Sequence, residues 1–259
     1  MKVGAGIVLT LSAIVSPGVV LAQDQPLTGY LPPETLAETV QVIGPPPPVG
    51  SSGDVRDRDV YRQTRALDGT SRFALATNDA VIAPQPLADD FACAMGKRVD
   101  VKAAPVLTRL LSRSSLDGSA ASSKGKTTFK RQRPFVGSSD AICTPDDARI
   151  EGSFAYPSGH ATLGWIYGQI LSELMPDRTV PLMTRARIYG DSRVVCGVHT
   201  VSDIDAGAKV AQTVVARLHG NAEFQADLTA AKAELASVQG TAPDANVCAI
   251  EEAAKTRAW

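Results

Sequence analysis

The chain has 259 residues, of which 44% are hydrophobic and 20% are charged, and its formal net charge is −1. This composition supports a sizeable globular core and excludes a strongly basic chain. The net charge therefore does not indicate nucleic acid or an anionic membrane surface as a partner.

The first 22 residues have the pattern of a secretory signal peptide. Lys2 precedes an apolar run that Ser-Pro-Gly at 16–18 interrupts, and Val-Leu-Ala at 20–22 precedes polar sequence. We predict cleavage after Ala22, with an uncleaved membrane anchor as the alternative. No later segment has the roughly 18 uninterrupted apolar residues that a membrane span needs. The mature protein is expected to be soluble and exported, periplasmic or secreted, with no membrane contact after cleavage.

Residues 23–54 are proline-rich and have no hydrophobic period, which predicts an extended N-terminal segment with a short polyproline II stretch from Pro45 to Pro48. Apolar residues three or four apart then predict helices. The predicted helical segments are 54–67, 71–79, 86–96, 104–115, 160–175, 181–190, 199–219 and 222–238. The Gly/Ser-rich stretch 117–126 is interpreted as a loop or the start of a helix. Strand patterns are sparse, so residues 55–259 are predicted to form one all-α domain.

The chain has four cysteines: Cys93, Cys143, Cys196 and Cys248. Because export is predicted, these cysteines are expected to be in an oxidising compartment. Two disulfides can then form in three different pairings. We favour Cys143–Cys196, because these residues flank two segments that carry chemistry, which leaves Cys93–Cys248 as the second bond.

The stretch YPSGHATLGW, residues 156–165, places a histidine at the start of a helix. Pro176 ends that helix. The first backbone N–H groups of a helix lack helical partners and, with the helix dipole, favour an anion. Ser158, Gly159 and His160 therefore mark a candidate anion site, and glycine lets the anion approach closely. The predicted buried stripe of the helix is Leu163, Ile166, Tyr167, Ile170, Leu171 and Leu174.

A second constellation lies in DSRVVCGVHTVSDID, residues 191–205. His199 and Asp203 are four residues apart at the predicted start of a helix, so they are expected to share a face. A carboxylate there fixes the imidazole tautomer and directs the other ring nitrogen outward as a nucleophile. Arg193, just upstream, offers a guanidinium to an oxyanion. The third histidine, His219, is expected to be a helix-terminal residue.

The third constellation is KTTFKRQRPF, residues 126–135. Lys126 and Arg133 are seven apart and would share a face if the segment were helical, with Pro134 marking the helix end. Lys124, Lys130 and Arg131 add further charge. Alone, this pattern is typical of a solvated cationic helix, and without interleaved aromatic residues it does not indicate a nucleic-acid surface.

Together the three constellations resemble the three-part signature of the superfamily of type-2 phosphatidic acid phosphatases and vanadium haloperoxidases. The N-terminal prolines, SRVVCGVH and the expected export further resemble class A bacterial non-specific acid phosphatases; Asp191 stands where many relatives are expected to have Glu. The resemblance implies a helical bundle with the active site between facing helices. It implies that His199 attacks phosphorus, Asp203 orients His199 and His160 acts as acid and then base. The implied phosphate-binding residues are Lys126, Arg133, Ser158, Gly159 and Arg193.

The predicted function is therefore a broad-specificity acid phosphatase that acts on small phosphate esters through a phosphohistidine, with neither a metal nor another cofactor. A vanadium-dependent haloperoxidase that uses the same site is the alternative. A membrane lipid phosphatase is disfavoured, since no spanning segment is present in the mature sequence. A non-catalytic helical protein with an anion pocket would require the two histidines and Asp203 to be coincidental. The sequence is compatible with a monomer and with a homo-oligomer.

Overall fold

The structure, a computed structural model, describes residues 26–144, 150, 152–257 and 259. The predicted signal peptide lies outside the described residues. The first helices are α1 (Pro33–Ala37), α2 (Thr39–Ile43), α3 (Ser52–Arg65), α4 (Ser71–Asn78), α5 (Pro84–Asp89), α6 (Ala92–Met95) and α7 (Pro105–Phe129). They are followed by α8 (Gly159–Leu174), α9 (Thr179–Val195), α10 (Val201–Leu218), α11 (Ala222–Ser237) and α12 (Ala245–Ala253).

The prediction of a single all-α domain is confirmed. Within the described ranges there is no strand, and extended pairing is limited to one isolated bridge between Arg98 and Thr241. None of the helices in those ranges is long and apolar enough to cross a membrane.

Helix α8 lies at the centre and packs against α7, α9 and α10. Its predicted stripe is buried throughout, from Leu163 to Leu174. The stripe faces the other central helices because apolar residues at helical spacing line one side of the helix. Helices α8 and α10 begin, and α7 and α9 end, close to the three constellations. The bundle therefore brings two positive helix N-termini and two cation-bearing helix C-termini to one region.

The N-terminal segment differs from the prediction, because it contains α1 and α2 and contributes to the core. Leu36 and Ile43 are buried in the main hydrophobic cluster. The backbone N–H of Tyr30 donates to Asp117 of α7 at 2.9 Å, and the Tyr30 hydroxyl donates to Asp227 of α11 at 2.7 Å. These long-range contacts, which proline content alone does not predict, tie the segment to two helices.

Residues 117–126, interpreted as a loop or the start of a helix, are neither, because α7 runs unbroken through them. Glycine and serine lower helix propensity, yet tertiary packing overrides propensity here. A Cβ on Gly118 would lie 2.4 Å from Cδ1 of Ile166, so the absent side chain is what allows α8 to pack this closely.

Two disulfides join distant parts of the chain, and both favoured pairings are confirmed. Cys93 of α6 bonds to Cys248 of α12, and Cys143 bonds to Cys196 directly after α9. The second bond lies three residues before His199, and the backbone N–H of Cys143 also donates to the Cys196 carbonyl at 3.1 Å. The segment that carries His199 is therefore fixed both covalently and by a backbone hydrogen bond.

Candidate active site

Lys126 and Arg133 reach the same region by a different route from the one predicted. Lys126 lies in the last turn of α7, and its ammonium donates to the carbonyl of Phe154. The helix ends at Phe129, and Lys130 follows in the left-handed conformation at φ 49°. Arg133 thus belongs to the following loop rather than to a face of α7. A chain reversal at Lys130, rather than two turns of helix, brings the two cations together.

Arg133 is buried and contacts the predicted nucleophile directly. Its Nη1 lies 2.9 Å from Nε2 of His199 and donates to the carbonyl of Val198 at 2.9 Å. Its Nε and Nη2 donate to the carbonyl and hydroxyl of Ser153 at 3.1 and 2.8 Å. A guanidinium can only donate hydrogen bonds. Nε2 of His199 must therefore be the acceptor, so it carries a lone pair and the ring proton is on Nδ1.

The His199–Asp203 pair is formed at a helix start, but His199 lies outside the helix. Thr200 is the N-cap of α10 and Asp203 is its third residue, whose Oδ2 accepts the Thr200 N–H at 2.8 Å. The same Oδ2 lies 3.4 Å from Nδ1 of His199. The expected contact is present, although the two residues do not share a helical face. A capping interaction supplies the geometry instead.

Ser158 and Gly159 occupy the N-terminus of α8, as predicted. Ser158 is the N-cap, and its Oγ accepts the N–H of Ala161 at 3.3 Å. Its own N–H donates to the backbone carbonyl of Asp203 at 2.9 Å, which joins the starts of α8 and α10. A Cβ on Gly159 would meet nothing within 4 Å, so there is open space at the first residue of the helix.

His160 faces the loop that follows α4. Its Nε2 lies 3.1 Å from the carbonyl of Ala80, and its ring stacks on Tyr189 with an interplanar angle of 22°. A carbonyl only accepts, so Nε2 carries a proton and Nδ1 is the ring atom left for chemistry. Burial, followed by the charge of Arg193, lowers the pKa of His160 well below its usual range.

Arg193, in the last turn of α9, is 1% exposed. Its Nε and Nη1 are buried and have no hydrogen-bond partner among the described residues. Burying two N–H donors without acceptors is costly, and an anion bound beside Arg193 would supply those acceptors. The adjacent Ser192 hydroxyl is instead committed to Asp79 at 2.5 Å and accepts from Arg72 at 3.0 Å.

The cations also set the protonation of the unliganded site. Burial, then the charges of Arg133 and Lys126, lowers the pKa of His199 well below its usual range. Burial, then Arg133, lowers the pKa of Lys126 to about 7. Both histidines are therefore neutral near neutral pH, and Lys126 is close to half-protonated.

Two charged residues that contact the site were not predicted to do so. Arg131 was expected only to add charge to a basic patch, and no role was predicted for Asp57. Arg131 Nη1 donates to Oδ1 of Asp203 at 2.8 Å, and its Nη2 donates to Asp57 of α3 at 2.9 Å. The carbonyls of Ala80 and Phe154, which hold His160 and Lys126, were also not predicted. No spacing in the sequence indicates these partners, because each contact spans 28 to 80 residues of sequence.

His219, the third histidine, lies at the C-cap of α10. It is exposed and is not part of the candidate active site.

The chain is similar in sequence to known proteins. Residues 107–222 match the model of the PAP2 superfamily. An acid phosphatase of Zymomonas mobilis is 38% identical over 216 residues, which cover 82% of each chain. A non-specific acid phosphatase of Providencia stuartii is 36% identical over 81% of this chain and 86% of that protein. One of Salmonella typhimurium is 33% identical over 74% and 78% of the two chains.

Proposed function

The chain belongs to the PAP2 superfamily, as the three constellations predicted, and it is an acid phosphatase, similar to bacterial acid phosphatases over most of its length; we propose that it works through a phosphohistidine. The observation that carries the proposal is the 2.9 Å contact of Arg133 Nη1 with Nε2 of His199, which requires a lone pair on Nε2, close to the further cations Lys126 and Arg193. This combination offers both a nucleophile and a binding site for three phosphoryl oxygens. The relatives' names favour phosphate hydrolysis over halide oxidation.

In the first step the lone pair on Nε2 of His199 attacks phosphorus. The N–P bond forms while the bond from phosphorus to the ester oxygen breaks, and the bonding pair leaves with that oxygen. The leaving oxygen takes a proton from Nδ1 of His160. Asp203 stabilises the imidazolium that develops on His199 through its Nδ1–H. Arg133 exchanges its hydrogen bond to Nε2 for one to a phosphoryl oxygen as the substrate enters.

In the second step water attacks the phosphorus of the phosphohistidine. Nδ1 of His160, now unprotonated, accepts the proton of the water, and the N–P bond breaks with its pair returning to Nε2. Inorganic phosphate is released and both histidines regain their starting states. One imidazole thus serves as acid and then as base, as microscopic reversibility requires.

The cations take over the role that a metal has in many phosphoryl transfers. Lys126, Arg133 and Arg193, with the hydroxyl of Ser158 and the N–H of Gly159, stabilise the negative charge of the transferring group. We therefore propose that no metal or other cofactor is needed. His160 must be protonated to act as an acid although its pKa is lowered in the empty site. A bound phosphate dianion favours that proton, and the rate is expected to be greatest below neutral pH.

Broad substrate range and export also belong to the proposal. Gln132, Val136, Gly152, Ser153 and Phe154 line the pocket beside Arg133, and among the described lining residues only Arg133 is charged. A pocket lined in this way forms few specific polar contacts with a leaving group, so different small phosphate esters can bind. The two disulfides support an oxidising compartment, periplasmic or extracellular.

The test is hydrolysis of p-nitrophenyl phosphate by wild type and by His199→Ala, with and without EDTA, combined with rapid quenching. Wild type should form a phosphoenzyme that is stable in base and labile in acid, and EDTA should not change kcat. His199→Ala should lose at least about a thousandfold in kcat, as removal of a nucleophile does. His219→Ala is the matched control, because it removes an exposed histidine at the far end of α10.

A His199→Ala protein with more than about a tenth of wild-type kcat would exclude this nucleophile. Activity lost in EDTA and restored by a divalent ion would exclude the metal-free mechanism. Efficient bromide oxidation with vanadate and peroxide, in a protein that releases no phosphate without them, would favour the haloperoxidase.

A further inference from the structure

Arg131 is held in a dense polar network at the start of α10. Its side chain is 16% exposed, and its Nη1 lies 2.8 Å from Oδ1 of Asp203. The same nitrogen lies 2.6 Å from the hydroxyl of Ser202 and 3.0 Å from that of Thr200. One guanidinium therefore reaches three polar side chains at the start of α10, from the N-cap Thr200 to the proposed orienting carboxylate of Asp203.

A second buried carboxylate fixes Arg131 from the opposite side. Oδ2 of Asp57, on α3, accepts from Nη2 of Arg131 at 2.9 Å, and the Asp57 side chain is 3% exposed. Oδ1 of Asp57 accepts the backbone N–H of Ser202 at 2.9 Å. Arg131 is thus clamped between α3 and α10 through both of its terminal nitrogens, a geometry that a lysine ammonium cannot reproduce.

The two oxygens of Asp203 have different partners. Oδ2 caps the Thr200 N–H and faces Nδ1 of His199, whereas Oδ1 is held by Arg131. Without a partner on Oδ1, one hydrogen bond from Thr200 would have to fix the carboxylate plane. Rotation of that plane would move Oδ2 from a position already 3.4 Å from the imidazole.

We propose that Arg131, clamped by Asp57, is a positioning residue that fixes the carboxylate of Asp203 and thereby directs the imidazole of His199. The inference rests on the proposed phosphohistidine mechanism. Arg131 does not touch the phosphoryl group in this mechanism, so its loss should reduce kcat and leave substrate binding unchanged. A purely structural role, in which the network only joins α3 to α10, would reduce stability alone.

Four variants separate these roles: Arg131→Lys, Arg131→Met, Asp57→Asn and the double variant Arg131→Met/Asp57→Asn. Arg131→Met leaves two buried carboxylates, Asp57 and Asp203, without their counter-charge, and this is expected to lower the melting temperature. The double variant removes one of these two unpaired charges. It should therefore recover part of the lost stability, yet Oδ1 of Asp203 still lacks its partner. Lys130→Met is the control, since it removes an exposed cation one position away.

The measurements are the melting temperature, kcat and KM for p-nitrophenyl phosphate, and inhibition by inorganic phosphate. We expect Arg131→Met and the double variant to lose about 10- to 100-fold in kcat, the usual cost of removing a partner that orients a functional histidine. KM and the inhibition constant of phosphate should stay within about twofold, as expected when only transition-state interactions are lost. Arg131→Lys should restore part of kcat, and Lys130→Met should match wild type.

Recovery of both melting temperature and wild-type kcat in the double variant would overturn the proposal, because the network would then be only structural. An equal rise in KM and in the phosphate inhibition constant would also overturn it, by placing Arg131 in substrate binding. If Arg131→Met does not fold, the kcat of the double variant and of Arg131→Lys decides. Full activity of His199→Ala would instead contradict the proposed mechanism itself, whatever the Arg131 variants show.

Discussion

Lys126 is expected to take up a proton when an anion fills the site. In the empty site its pKa is about 7, because burial and the neighbouring Arg133 disfavour the charged ammonium. A dianion in contact with the ammonium reverses this balance, since an opposite charge favours the protonated form. Binding and protonation are therefore linked, and the affinity for a dianion should fall as pH rises through 7.

The size of the effect follows from the two protonation states. With a pKa of about 7, Lys126 is roughly half-protonated at pH 7 before binding. If the bound ammonium regains a pKa near its ordinary value of ~10.4, binding takes up about half a proton there. The same pair of values predicts that affinity falls about tenfold from about pH 6 to about pH 8, equivalent to ~1.4 kcal/mol.

Sulfate is the appropriate probe, because it stays a dianion over this pH range. Calorimetric titration in two buffers of different ionisation enthalpy measures the number of protons taken up. Wild type should exceed Lys126→Met by about half a proton at pH 7. Lys124→Met, which removes an exposed cation two residues earlier on α7, should behave like wild type. Equal proton uptake and equal pH dependence in wild type and Lys126→Met would refute the reasoning.

Three further predictions concern His160, Arg193 and Asp90. His160→Ala should reduce kcat/KM for glycerol phosphate at least about tenfold more than for p-nitrophenyl phosphate, because nitrophenolate leaves without a proton and kcat/KM excludes the shared hydrolysis step; equal losses in kcat/KM would argue against a general acid. Arg193→Met should lower kcat by about 100-fold without lowering the melting temperature, since a buried guanidinium is removed whose Nε and Nη1 have no hydrogen-bond partner among the described residues; a destabilised variant would contradict this account. Burial and Asp79 raise the pKa of Asp90 to about 8, so the folded state holds a proton that the unfolded state releases near pH 4. The free energy of unfolding should therefore fall as pH rises from about 4 to about 8, and Asp90→Asn should flatten that dependence in denaturant titrations.

The sequence was most informative where chemistry depends on neighbouring residues. Ser158, Gly159 and His160 lie at a helix start because the apolar stripe behind them fixes where that helix begins. The His199–Asp203 contact also followed from close spacing, although a helix cap rather than a shared helical face produces it. Hydrophobic periodicity and helix capping depend on residues that are close in sequence, so both can be recognised from the sequence alone.

Features that depend on tertiary packing were not predictable in the same way. Gly118 lies in the stretch that was interpreted as a loop or the start of a helix, whereas it lies inside α7 and its missing side chain leaves room for Ile166. The sequence pattern indicated a solvated charge at Arg131. Arg131 instead binds two carboxylates, which lie 72 and 74 residues away in sequence. Helix α12 was not predicted at all; it is joined to the bundle by Cys248 and by a Glu251–Arg185 ion pair of 2.9 Å. Each of these outcomes requires a partner that only the folded chain brings close.

The Cys93–Cys248 bond makes most of the polypeptide a closed covalent ring. Every proposed site residue lies between 126 and 203, inside that ring. The connection between α11 and α12 is exposed at residues 239–242, and a protease could cut it there. Such a cut would open the ring without releasing a fragment, since α12 would stay attached through Cys93. The nicked chain would remain one molecule with all its site residues on a single piece, and only reduction of this bond would let the C-terminal helix depart.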